Sequence, residues 1–197
     1  MELYRDAGYD KVTVAEIAAR AGLTRRTFFR YFSDKREVLF FGTEKLEALV
    51  TEGIMTAPKA ATALEAVAMA LAPVAQLSDE DPVHADFARR RHAVIQANPE
   101  LRERELSKHA SLASVIASTL LRRGVTAPNA RLAAEAGLSA FLVGFEQWIN
   151  DRARRRMGAH VLEAMRGLRS VVLGQDANGV TTVAGSRKTR SAKRRRR

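Results

Sequence analysis

The stretch "AEIAARAGLTRRTFFRYFSDK", residues 15–35, sets five cations (Arg20, Arg25, Arg26, Arg30 and Lys35) around three phenylalanines. Two short helices are written into and just before it. Thr13 followed three residues later by Glu16 is a capping box, which satisfies two orphan backbone donors reciprocally and starts a helix. Val14, Ile17, Ala18 and Ala21 then fall on one helical stripe. Gly22 ends that helix, and Thr24 caps the next one only two residues later. Two helices joined by so tight a turn form a helix-turn-helix.

At about 100° per residue, Phe28 and Phe32 share one side of the second helix. Arg26 and Arg30 fall on the opposite side, with Thr27 beside them and Arg25 in the first turn. The phenylalanines therefore anchor the helix and the arginines point away from the body. Arginine at the exposed N-terminal half of such a helix suits the DNA major groove, where it can bond guanine through two donors. The helix N-terminus also favours phosphate through its exposed N–H groups. An ordinary amphipathic surface helix would also turn arginines outward. What points to DNA is the succession of capping box, glycine turn, second cap and arginine pair.

The run "GYDKVTVAEIAARAGLTRRTFFRYFSDKREVL", residues 8–39, resembles without a gap the N-terminal domain of TetR-family transcriptional regulators. The resemblance implies an all-α fold, a small helix-turn-helix domain ahead of a larger helical domain. It also implies a homodimer on a palindromic double-stranded DNA operator, released when a small-molecule effector enters the larger domain. By position it places phosphate contacts on Thr13, Tyr31 and Lys35 and base reading on Arg25, Arg26 and Thr27, after the cap Thr24. Arg30 can touch backbone or base. Phe29 stands where the family often carries a tyrosine whose hydroxyl holds phosphate, so that contact is expected to be missing.

Helical patterning continues through the rest of the chain. A short first helix over 2–7 is expected to bury only Leu3, Tyr4 and Ala7. Ser33 is expected to cap a long helix to about residue 52, followed by helices over 58–76 and 82–97. Asn98-Pro99 opens another that stops before Gly124, Pro128 opens one ending near residue 156, and the last runs over 159–173. The expected division is 1–40 for DNA binding, 41–174 for ligand binding and dimerisation, and 175–197 as a disordered basic tail. The segment "ANPELRERELSKHASLASVIASTLLRRG", residues 97–124, is similar to a subgroup for which acyl-CoA-type ligands are proposed. Candidate pocket residues are Leu71, Val74, Phe87, Ile95, Leu112, Val115, Ile116, Phe141, Phe145 and Trp148; the same spacing also describes an ordinary core. Val161, Met165, Leu168 and Val172, with Leu162 beside them, form an apolar stripe expected at the dimer interface, although a stripe can equally pack within one chain.

Composition narrows the alternatives. The chain has 197 residues, 46% hydrophobic, which is enough for a sizeable core. It has no cysteine, which excludes disulfides and thiolate metal sites and fits a cytoplasmic protein. Apolar runs are too short for a membrane span, and the start lacks a signal-peptide pattern. Four scattered histidines give no metal-ligand spacing, and no phosphate-binding loop, dinucleotide fingerprint or nucleophile elbow is present. Neither an enzyme nor a cofactor is expected. The net charge of +11 is concentrated: eight of the 33 Lys and Arg lie in 186–197, with no acid among them. A rival reading is therefore a non-specific DNA-coating protein driven by that tail.

Overall fold

The computed structural model describes residues 2–175, leaving aside the side chains of Glu2 and Arg5. The expected basic tail lies almost wholly outside the described residues. Nine α-helices and one 3-10 helix, with no strand, make up the described chain. Three short helices come first: α1 (Glu2–Ala7), α2 (Val14–Arg20) and α3 (Arg25–Tyr31). The 3-10 helix Glu37–Phe40 leads into six longer ones: α4 (Thr43–Thr56), α5 (Ala63–Glu80), α6 (Pro82–Ala97), α7 (Pro99–Arg122), α8 (Ala127–Asn150) and α9 (Met157–Val172).

The long helix expected from Ser33 does not form. Asp34, not Ser33, is the capping side chain: its carboxylate accepts from the Arg36 and Glu37 amides at 2.8 and 3.2 Å. That starts only a 3-10 turn, and Gly42, at φ +92°, breaks the path before α4 begins. The helix expected over 58–76 instead starts at Ala63. Thr62 and Glu65 form a second capping box there, and Pro73 is accommodated inside the helix. Asn98 stands at the N-cap of α7, yet its amide donates backward to the Val94 carbonyl at 2.6 Å.

The main core runs through α4, α5, α7, α8 and α9 around Val50, Ile54, Val67, Leu71, Ile116, Leu120 and Trp148. Side chains from neighbouring elements close its helix ends. Arg123, just past α7, donates to the Ile54 and Ala57 carbonyls at 3.0 and 2.8 Å and to Pro58, capping α4 from outside. Asp79 on α5 accepts from the Met157 and Gly158 amides and caps the start of α9. α8 and α9 cross closely at Gly144, where a Cβ would lie 2.6 Å from the Val161 Cα.

α8 stops at Asn150 rather than running on to 156 because Asp151 turns the chain. Its carboxylate accepts from the Ala153 and Arg155 amides and lies 2.9 Å from His160 Nε2 on α9. The His160 hydrogen bond, with those amides, holds the Asp151 carboxyl down at about 2, below its ordinary 3.8. A lowered folded-state pKa gives stability that is present above about pH 4 and lost as pH falls toward 2. Asp151→Asn is accordingly expected to flatten the decline of melting temperature across that window, read by thermal melts in a pH series. A decline as steep as the wild type's would remove Asp151 from acid unfolding.

A second, smaller core joins the N-terminal helices to α6 and α7. Tyr4, Tyr9, Val12, Leu39 and Phe40 pack with Ile95 of α6 and Leu101 of α7. Of the three residues expected to bury from α1, Tyr4 is buried and Leu3 packs against this cluster, while Ala7 is exposed.

Candidate nucleic-acid interface

The turn between α2 and α3 is built by local chemistry. Thr13 Oγ1 accepts from the Glu16 amide at 3.2 Å, and the Glu16 carboxylate accepts from the Thr13 amide at 2.7 Å. At the far end the Leu23 amide reaches back to the Ala18 carbonyl at 2.8 Å, which closes α2. Thr24 Oγ1 then accepts from the Thr27 amide at 3.1 Å and starts α3.

α3 has one buried residue, Phe28, whose ring lies 5.2 Å from Phe32 and meets Phe29 edge-on at 5.5 Å. Phe32 is the C-cap, already extended, and its half-buried ring leans on Phe41 at 5.6 Å. Arg25, Arg26 and Arg30 are exposed on the outside of this short helix. Neither Arg25 nor Arg26 is in an ion pair with a described residue. Arg30 Nη2 donates to the Tyr31 hydroxyl at 2.9 Å, and its guanidinium lies 4.9 Å from the centre of that ring. Arg30 and Tyr31 thus form one exposed unit. Phe29 is half exposed beside them and offers only an apolar face.

Two expected contacts look different in the structure. The Thr27 side chain is half-buried, with its hydroxyl 3.0 Å from that of Thr24, so it is committed to the cap as well as facing outward. Lys35 is not a free ammonium: Nζ donates to the Tyr9, Asp10 and Val12 carbonyls at 2.9, 3.2 and 3.3 Å. It also lies 4.3 Å from the centre of the Tyr9 ring, while the Lys35 carbonyl accepts from the Tyr4 hydroxyl at 3.1 Å. Lys35 bolts the α1–α2 loop to the end of α3. A loop 23 to 26 residues ahead of a lysine carries no sequence signal for this, because the partners are backbone carbonyls. Lys35→Ala is expected to cost about 2 kcal/mol of stability, the scale of hydrogen bonds to a charged group. Thermal melts measure that. An unchanged melting temperature with a salt slope of DNA binding reduced by about one unit would restore the phosphate role instead.

The pocket residues expected from sequence largely separate. Leu71, Leu112, Ile116 and Trp148 are buried in the main core, and Val74 packs against it. Ile95 belongs to the second core, Val115 is half-buried and Phe87 is exposed. Phe141 and Phe145 do line a cavity of about 580 Å³ among α6, α7 and α8. Leu106 and Leu142 extend its apolar wall, and Arg91, His92, Glu105 and His109 form the polar one, which periodicity alone had not marked. Burial disfavours the His109 imidazolium; Glu105 opposes that shift and Arg91 adds to it.

The stripe on α9 also divides. Val161 and Met165 are buried in the chain's own core and Leu168 packs against it. The close crossing at Gly144 turns that side of α9 inward. Leu162 and Val172 are exposed.

Residues 1–40 match the family described as "Bacterial regulatory proteins, tetR family", and residues 61–173 match "MftR C-terminal domain". The chain belongs to the TetR family. Its helix-turn-helix is accordingly the DNA-binding unit of a TetR-family transcriptional regulator. The chain is similar to the "Putative mycofactocin biosynthesis transcriptional regulator MftR" of Mycobacterium tuberculosis, 29% identical over 160 residues, 78% of this chain and 77% of that one. In fold it is similar to Thermus thermophilus FadR, a TetR-family transcriptional repressor solved in complex with lauroyl-CoA. The TM-score is 0.56 at 21% identity, over 86% of this chain and 89% of that one. Among the described residues no group of three or more His, Asp or Glu could hold a metal ion, and no helix is long and apolar enough to cross a membrane.

Proposed function

We propose that the protein is a homodimeric repressor in which α3 of each protomer enters the major groove of a palindromic operator, and a small apolar or acyl-type ligand releases it. The observation that carries the DNA reading is the division of α3: Phe28, 1% exposed, fixes the helix from behind, and three arginines stand in front. Arg25 and Arg26 read bases, and Arg30, Tyr31 and the Thr13 end of α2 meet phosphates. The ligand enters the cavity of α6, α7 and α8, whose aromatic wall (Phe141, Phe145) suits an acyl chain. The lauroyl-CoA in the FadR complex supports that ligand class. The test is a gel shift on DNA selected by the protein, with lauroyl-CoA added. Dissociation of the complex is expected. A complex that persists at saturating lauroyl-CoA would sink the acyl reading and leave the DNA reading standing.

The dimer forms through the exposed faces of α8 and α9. Val143 and Leu162 sit one residue beyond the two partners of the Gly144–Val161 crossing, and both are about half exposed, at 47% and 51%. Two such helix pairs close a four-helix bundle across a two-fold axis. Met165→Arg would damage the core of the single chain, so the informative substitution is Leu162→Arg. Light scattering is expected to show monomers with native helicity. A dimer of undiminished stability would place the interface elsewhere.

A further inference from the structure

Three cations of the larger domain grip the 3-10 helix that follows the recognition helix. Arg104 and Lys108 on α7 hold the Glu37 carboxylate, Arg104 Nη2 at 2.6 Å and Lys108 Nζ at 3.5 Å. Arg91 on α6 donates through Nε to the Leu39 carbonyl at 2.6 Å and stacks 5.1 Å from the Phe40 ring centre. Of the three, Arg91 alone also lines the cavity of α6, α7 and α8, where its Nη1 lies 3.2 Å from Glu105. The grips matter because the turn at Gly42 interrupts the helical path into α4, so the 3-10 helix takes its position from side contacts.

We propose that Arg91 is the coupling residue of the effector cavity: an occupant with a carbonyl or similar acceptor in its head draws the guanidinium off Leu39 and loosens the recognition domain. This rests on the effector reading above. A guanidinium is suited to the task because its planar fork of five donors can serve two directions at once. One edge holds the recognition domain and the other borders the ligand. By linkage, an occupant that weakens DNA binding through this group is itself bound more weakly, by the same factor, when the protein is on DNA.

The test uses full-length wild type, Arg91→Met and Arg91→Lys, titrated on the selected operator with and without lauroyl-CoA. Amide exchange over residues 36–41 is followed in parallel. Arg91→Lys keeps the stem and charge but lacks the fork, so it decides the matter if Arg91→Met melts early. Ligand-free variants are expected to bind the operator about tenfold more weakly than wild type, the scale of one charge-assisted hydrogen bond. Their exchange over 36–41 is expected to match that of wild type with lauroyl-CoA, and lauroyl-CoA is expected to add nothing further. Wild-type affinity and exchange in both ligand-free variants would overturn the proposal, whatever lauroyl-CoA does. So would variants that release DNA on lauroyl-CoA as fully as wild type. If wild type ignores lauroyl-CoA while the ligand-free variants are weakened and loosened, the acyl reading fails and the Arg91 brace stands.

Discussion

Replacing Phe28 with alanine is expected to cost about 3–5 kcal/mol, the usual range for removing a buried aromatic ring. Phe28 is the one buried residue of α3, a helix of seven residues that is too short to hold itself in water. Its ring also supports Phe29 and Phe32, and through Phe32 the contact with Phe41. Operator binding is expected to disappear with the fold of this unit. The larger core, which does not include Phe28, is expected to stay helical and associated. Circular dichroism melts and light scattering separate the two effects. Full operator binding by Phe28→Ala would mean that α3 is held by something other than this ring.

Arg26→Ala is expected to weaken operator binding by about 1–3 kcal/mol, the worth of one good base contact, with no change in melting temperature. The side chain is exposed and is in no ion pair with a described residue, so its loss is expected to leave the fold untouched. Discrimination between operator and random DNA should fall with affinity, because a base contact is what is lost. A gel-shift titration on both DNAs measures this. Equal weakening on the two would reassign Arg26 to phosphate.

The recognition unit was legible in the sequence because its chemistry is local. Thr13 with Glu16, the turn at Gly22 and the Thr24 cap are each settled within five residues, and each forms as read. The Thr62–Glu65 box that starts α5 carries the same signal and sets the boundary better than Pro58 does. Breaks that depend on distant partners were not legible. The 3-10 helix is positioned by Arg91, Arg104 and Lys108, 52 to 71 residues away in the chain. Periodicity misled on α9 for a related reason. A stripe reveals that a helix has a buried side, but not whether its own chain or a second copy covers it. Val161 and Met165 are covered from within, and Leu162, one residue off the stripe, is left outside. The same limit scattered the pocket residues: Ile95 is as apolar as any of them and lies in the core shared with α1.

The most direct test of the account is selection of binding sites from random duplex DNA by the full-length protein, repeated with a chain ending at Gly185. The account predicts one palindromic sequence enriched by both proteins, because discrimination resides in α3. The basic segment 186–197 is expected to raise affinity for all DNA together, most steeply at low salt. Enrichment of no sequence by either protein, or enrichment that vanishes with the tail, would contradict reading by α3 and favour a DNA-coating protein.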